Sequence, residues 1–433
     1  MAFRKHHKNS YWGSQFIEFM ASGLRGRTFI LGNAIGKALM RVVFILGVAF
    51  LGPVVAFLVV LRPFVVIRFG ALNAGRIGEL AISSEIFLCK RDKRSFREKQ
   101  VDVIGCAYPI SNTYLKTMFG TLLPITAGAW LWRLLDKSCH FWTRTNIHHA
   151  DLLVRSSDYH LILESAPHLT FSPQEVSMGQ DLLYRLGIPA GSKWICLHNR
   201  DSKYLDVKLS GQWSYHDYRD FSITTMIPAA QTFTEGGYFA IRMGSVQREL
   251  LDQLNPMIID YASSPYRTEF GDIFLSAGCS AYFGSDSGIL TLPFIFRRPV
   301  SFVNHSLTLL KQVIYLTSNL VLPSITKHLF DANSQRPIGL RNMFAFGLNG
   351  GAHANDFAEA GISVVSNTPH EIRELADEVM HRLAGTWKPE PEDEVLQARF
   401  WRLFCELDAT TDSSVLRARI GAAFLRQNQH LLD

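Results

Sequence analysis

The chain has 433 residues, 47% of them hydrophobic and 19% charged, with 30 Phe and a formal net charge of +6. At roughly 100–200 residues per domain this length allows two or three domains, and it excludes a small scaffold that depends on cross-links. The apolar balance argues for membrane contact, and the positive charge for anionic lipid or phosphorylated ligands; nucleic acid is not an expected partner. Six cysteines (Cys89, Cys106, Cys139, Cys196, Cys279 and Cys405) lie scattered with no C-x-x-C pair, and the 15 His are dispersed. They read as reduced core residues of a cytoplasmic protein, with no disulfide framework and no metal site expected.

Residues 1–40 mix aromatic, aliphatic and basic residues, which predicts either a surface-lying amphipathic helix or a disordered basic lead-in. Val42 to Leu61, "VVFILGVAFLGPVVAFLVVL", is a run of 20 uncharged apolar residues between Arg41 and Arg62. That is long enough to cross roughly 30 Å of hydrocarbon as a helix, and too long for the apolar core of a signal peptide. Gly52-Pro53 at its middle removes a backbone hydrogen bond, so residues 41–62 are expected either to span with a kink or to turn back as a re-entrant element. Both flanks are basic, which fits a segment with both ends on the cytoplasmic face.

From 63 the pattern alternates between strand and helix. "FVVIRFG" (64–70) and "VDVIGCAY" (101–108) read as strands, and "ELAISSEIFLCKRD" and "SNTYLKTMFG" as helices, the latter opened by a Ser/Asn cap. The turn in "LGIPAGSKW" marks the expected boundary between a first α/β unit (63–190) and a second (191–370). In the second, "WICLHN" (194–199), "YFAIRMG" (238–244), "MIIDYA" (257–262), "SAYFGSDSG" (280–288), "PVSFVN" (299–304) and "ISVVSN" (362–367) are continuous apolar runs, as in strands buried on both faces of a parallel sheet. Residues 371–433 read as mostly helical. The whole reads as two doubly wound α/β units, whose ligands bind beyond the C-terminal ends of the strands.

Three strands of the second unit end in polar groups suited to an anion. His198, Arg200 and Asp201 follow the first, Arg242 and Gly244 the second, and Ser285, Asp286, Ser287 and Gly288 the third. Arginine matches a diphosphate bidentately, and "GSDSG" before "ILTLPFIF" resembles a helix start with free N–H groups. Tyr204, His216, Tyr218 and Arg219 belong to a loop that either closes over a ligand or is a solvated surface loop. In the first unit "RFGALNAGRIGELA" is a strand end, a Gly-rich turn and a helix, placing Arg68, Asn73 and Arg76 as acceptor or cleft residues. Its spacing matches neither G-x-G-x-x-G nor the P-loop. Glu79, in the first helical turn, is a candidate general base or a residue complementing the helix terminus. The absence of G-x-S-x-G and H-E-x-x-H motifs lowers hydrolase and metalloprotease readings.

These segments together resemble GT-B type glycosyltransferases, and "LHNRD" resembles the H-x-R motif of fucosyltransferase-like enzymes. "RIGELAISSEIFL", "LHNRDSKYL", "YHDYRDFSI", "AIRMGS", "GSDSG" and "PVSFVN" are similar to glycosyltransferase-like proteins of bacterial surface-polysaccharide clusters, over about residues 64–370. The resemblance implies two Rossmann-like domains facing a cleft, with a nucleotide-sugar as substrate and no cofactor. It implies a lipid-linked or glycan acceptor and a diphosphate contact for Arg200. In those proteins the position of Glu79 is often His, which suits the base of several inverting GT-B enzymes, and this sequence departs from that pattern; the base expected here is Glu79, then Asp201, then His216. The readings that compete are a non-catalytic membrane-anchored subunit that binds a nucleotide or glycan, and another phosphate-leaving transferase. A homo-oligomer or a complex with other polysaccharide enzymes is a further expectation.

Overall fold

A computed structural model of the chain describes residues 42, 44–93, 99–155, 158–203, 207, 214–251, 254–307, 322–348, 353–409 and 418–433, the side chains at 214–216 excepted. The segment 1–40, Tyr204 and the side chain of His216 lie outside the described residues. Contacts divide the chain into two units. One comprises the described parts of Met1–Ala71, Phe96–Gly105 and Thr126–Ala150, the other those of Leu72–Ser95, Cys106–Ile125 and Asp151–Asp433.

Proline decides how the apolar run folds. Helix α1 (Phe44–Phe50) stops before Pro53, α2 (Gly52–Leu61) restarts with that proline in its first turn, and the two meet at a bend of 48°. Among the described residues no single helix is long and apolar enough to cross a membrane, although this bent pair is so by length and composition. The expected N-terminal membrane helix is therefore two short helices, because a proline ring leaves no hydrogen on its nitrogen to continue the ladder.

Then come β1 (Val66–Leu72), α3 (Ile77–Asp92), β2 (Gln100–Cys106), α4 (Thr113–Gly120), β3 (Ile125–Thr126) and α5 (Ala129–Thr143). The three strands form one sheet in the order β1-β2-β3. The anticipated cap of α4 is present, the Asn112 side chain accepting from Leu115 N at 2.7 Å. In the first unit α2 and α5 close on β1 through Val55, Leu58, Phe69, Leu135 and Cys139. Trp132 stacks on Phe69 with ring centroids 5.8 Å apart.

In the second unit follow α6 (Pro173–Arg185), β4 (Lys193–His198), α7 (Ile227–Glu235), β5 (Tyr238–Arg242), β6 (Ile258–Ile259), α8 (Glu269–Gly278), β7 (Ala281–Gly284) and β8 (Val300–Phe302). The sheet order is β6-β5-β4-β7-β8 with every pairing parallel. Ile195, Leu197, Ala240, Ile241, Ala281 and Phe283 are all buried, as the continuous apolar runs require. The turn at Gly187–Gly191 lies inside this unit.

"ISVVSN" departs from expectation. β10 (Ile362–Val365) pairs antiparallel with β9 (His328–Asp331), Ile362 opposite Asp331, in a separate sheet of two strands. Only Ile362 of its four residues is buried, so this short run is an edge ribbon and not a strand covered on both faces. Helices α9 (Pro369–Leu383), α10 (Asp393–Leu407) and the short α11 (Ala422–Gln427) follow. α9 starts at a capping box between Thr368 and Glu371.

Candidate functional site

Parallel pairing in register brings the ends of β4, β5 and β7 together. Leu197 lies opposite Arg242, and His198 opposite Gly284. The residues just past each strand therefore meet at one edge of the sheet. There His198, Arg200, Asp201, Arg242, Gly244, Ser287 and Gly288 line a cavity of about 230 Å³. Arg76 and Ile77 from the start of α3, Ser111 before α4, Arg219, Gln247, and Arg267 and Asp272 at the start of α8 also line it. Every lining residue belongs to the second unit.

Two glycine positions shape this wall. A Cβ on Gly78 would stand 3.0 Å from Gly288 Cα, so the first turn of α3 and the Gly288 turn meet backbone to backbone. Gly244 has φ of 143°, a conformation that side chains resist, where the chain leaves β5 into the cavity.

The cations here are held by internal partners. Arg242, 1% exposed, donates to Glu249 O at 2.6 Å, to Asn199 Oδ1 at 3.2 Å and to Asp260 Oδ2 at 3.3 Å. Arg200 pairs with Asp220, whose carboxyl is pushed up by burial and by Asp217 against the pull of Arg200. Lys327 Nζ donates to Asp220 O at 2.8 Å, and burial brings its ammonium down to about 8. Arg219 lies 3.2 Å from Asp286 Oδ1. Burial pushes the Asp286 carboxyl up, but Arg219 and His305 outweigh it and hold it at about 2. Arg267 spans two elements, donating to Gly244 O at 3.0 Å and to Asp272 Oδ2 at 2.5 Å.

His198 acts as a brace. Its Nδ1 is 3.0 Å from Ser285 Oγ and 3.1 Å from Ser287 Oγ, tying the end of β4 to the turn after β7. Burial, with Arg242 and Arg200 nearby, pushes the imidazole down to about 3, so it is neutral near pH 7.

The expected base residues sit differently. Asp201 accepts from Lys203 N at 3.0 Å and Arg248 N at 3.1 Å, an arrangement that fixes the loop. Glu79 accepts from the Asn73 side chain, and neither lines the cavity. Tyr218 also lies off the cavity, its ring 5.0 Å from that of Phe357. Ser285 and Asp286 brace the site without lining it. Arg68 does not line the cavity: it lies in the first unit, is 5% exposed and stands 2.5 Å from Asp102 Oδ1. A charge on a strand that faces the core needs an ion partner, and Asp102 on the neighbouring strand supplies it.

No protein-family model matches the chain, and no curated protein matches it. Solved structures do. The chain is similar to the E. coli ADP-heptose LPS heptosyltransferase II at 10% identity and a TM-score of 0.40, over 73% of this chain and 99% of that one. It is also similar to the glycosyl transferase family 9 protein from Veillonella parvula at 10% identity and a TM-score of 0.32, over 55% of this chain and 80% of that one. Both likenesses are remote, and the chemistry of the cavity has to be read from its own residues.

Ser111, Gln247, Arg267 and Asp272 are lining residues that the sequence does not announce. Ser111 Oγ, Gln247 Oε1 and Asp272 Oδ1 are buried without a hydrogen-bond partner. Burial pushes the Asp272 carboxyl up to about 7 against the pull of Arg267. One signal was present: Thr268, the cap of α8, accepts from Gly271 N, and a capped start beyond β6 places Arg267 and Asp272 at the sheet edge. Elsewhere in this unit Glu85, Cys89 and His168 come within metal-binding reach of each other. Arg297 Nη1 already stands 2.7 Å from Glu85 Oε1, and hydrogen bonds with Cys89 and Glu85 lift His168 to about 10, so the cluster is an ionic brace.

Proposed function

We propose that the cavity of the second unit binds the diphosphate of a nucleotide-sugar, and that the protein is a GT-B type glycosyltransferase. In this reading it moves the sugar to a lipid-linked or surface-polysaccharide acceptor at the cytoplasmic side of a bacterial inner membrane. The observation that carries it is the convergence of Arg76, Arg200, Arg242 and Arg267 with the starts of α3 and the Gly288 turn around one cavity at the strand ends. Guanidinium groups and unshared backbone N–H groups suit a diphosphate, and they stabilise the charge that develops on it as the glycosidic bond to the sugar breaks. Arg200 and Arg242 set this field, the latter from a fixed buried position. Because arginines supply the positive charge, the reading requires no metal ion.

In this reading proton removal from the acceptor falls to Glu79 first, in the same first turn of α3 as the lining residue Ile77, then to Asp201 and His216. Asp272, neutral over part of the physiological range, donates a hydrogen bond to a ligand oxygen. The binding-only reading is separated by product. Purified protein is given a panel of nucleoside diphosphates in a thermal-shift assay, then the matching nucleotide-sugars with released nucleotide as readout. Stabilisation by one diphosphate together with release in the presence of membrane acceptor supports transfer. Stabilisation without release identifies a binder, and no stabilisation by any diphosphate overturns the assignment of the cavity.

A further inference from the structure

The first unit carries a surface that sugar transfer does not use. Val48, Val55 and Leu58 are the buried positions of α1 and α2, and the latter two close on Phe69 of β1 and on Leu135 and Cys139 of α5. Next to Phe69, Arg68 is buried in its ion pair with Asp102. The inner face of α2 is thus fixed to a strand of a folded sheet. Threading α2 through the bilayer would carry that strand and its ion pair into hydrocarbon, where open sheets are not accommodated.

The outer face is exposed among the described residues. Ile45 is 65% exposed, Phe50 86%, Phe57 61% and Val60 71%, and no side chain from Phe44 to Leu61 carries a charge or a hydrogen-bonding group. A helix apolar on every side is normally covered on every side. α5 extends the patch. Trp142 Nε1 donates to Val48 O at 3.1 Å and its ring lies against Gly52, while Trp130, Phe141 and part of Trp142 remain exposed. The other exposed residues of α5 include Arg133 and Lys137, and the Arg144 guanidinium sits 5.3 Å from the Phe141 ring centre. Asp136, the acid of this helix, is turned to His149 at 2.9 Å. An aliphatic centre, tryptophans at the margin and unopposed basic residues match an acyl-chain boundary beneath anionic headgroups better than a protein surface.

We propose that α1, α2 and α5 form one monotopic membrane-embedding face, with the bent pair among the acyl chains and α5 at headgroup level. This rests on the membrane-attached part of the function above and is independent of which sugar is moved. The test uses the full-length protein in flotation with vesicles of phosphatidylglycerol and phosphatidylethanolamine, and with vesicles of phosphatidylcholine alone. Expected are flotation with the anionic vesicles, at least roughly tenfold weaker flotation with the neutral ones, and quenching of tryptophan fluorescence by acyl-brominated lipid that diminishes in Trp130→Phe. Phe57→Asp with Val60→Asp should abolish flotation while thermal stability without lipid is kept.

Flotation of that double variant at the wild-type level overturns the proposal, as does a wild-type protein that ignores vesicles or buries the face in a lipid-free dimer. Unchanged quenching in Trp130→Phe removes α5 from the face. Nucleotide release measured in parallel in detergent separates the two ideas, since loss of flotation with turnover retained leaves the transfer reading standing.

Discussion

The strand ends of the second unit and the apolar face of the first each keep residues where folding alone would not place them. At the strand ends, charges are buried and tied to partners, as Arg242 is to Asn199, Glu249 and Asp260. On the α1–α2 face, aromatic and aliphatic side chains stand in the open, with Phe50 86% exposed. The costs are opposite in kind. A buried cation costs desolvation that its partners must offset, whereas an exposed apolar face forfeits burial that a lipid surface restores. The first region is marked by over-determined pairing, and the second by apolar side chains left exposed among the described residues.

Truncating the buried cation is the harshest way to break this contrast. Arg242→Met leaves the largely buried Asp260 carboxylate beside an apolar chain, and breaking a buried pair costs about 3–5 kcal/mol. Urea denaturation should show that loss, and wild-type stability in this variant would mean that Arg242 is not the keystone of the strand ends. The two faces of α2 come next. Leu58→Ala, 6% exposed in the wild type, should cost about 2–5 kcal/mol, while Phe57→Ala without lipid should stay within about 0.5 kcal/mol. Equal losses would show that something other than lipid already covers Phe57.

Arg200→Ala tests binding more than folding. A hydrogen bond to a charged group is worth about 1.5–3 kcal/mol, so affinity for a nucleoside diphosphate should fall roughly tenfold to a hundredfold by calorimetry. Arg200→Lys should recover part of it, because a point charge remains without the planar fork. Undiminished affinity in Arg200→Ala would assign the Asp220 ion pair a purely structural role.

The sequence made one region far more legible than the other. Continuous apolar runs such as "WICLHN" and "SAYFG" announced buried parallel strands because nothing else explains uninterrupted apolarity over so few residues. The polar residues that end them were legible for the same reason. Their commitments were not: that Asp201 ties its loop to Arg248 N depends on a contact across 47 positions of chain. The ion pair of Arg68 is not legible in the sequence, because its partner Asp102 lies on another strand. Asp272 was hidden inside "EFGDIFLSAG", an ordinary amphipathic helix until the fold sets its first turn against Arg267. The apolar run 42–61 is visible at once in the sequence, but the exposed aromatics of α5 beside it are not, since nothing in the sequence sets Trp130 and Trp142 apart from core residues.

The smallest effect expected is also the most diagnostic of how the cavity is charged. Burial raises the Asp272 carboxyl from 3.8 to about 7, with Arg267 opposing. The folded state therefore holds a proton that the unfolded chain has released across that window. Stability linked to this group is fully present below pH 3.8 and is lost as pH rises through about 7, where the buried carboxylate must ionise. Asp272→Asn cannot ionise, so between about pH 5 and about pH 8 its melting temperature should fall less than that of the wild type. An anionic ligand would feel the same change: binding of a nucleoside diphosphate should weaken across this range in the wild type, as a charge appears on the wall, and should be flatter in Asp272→Asn. Identical slopes in both proteins would mean that Arg267 holds Asp272 ionised throughout, which would make the pair a fixed brace like Arg219 and Asp286.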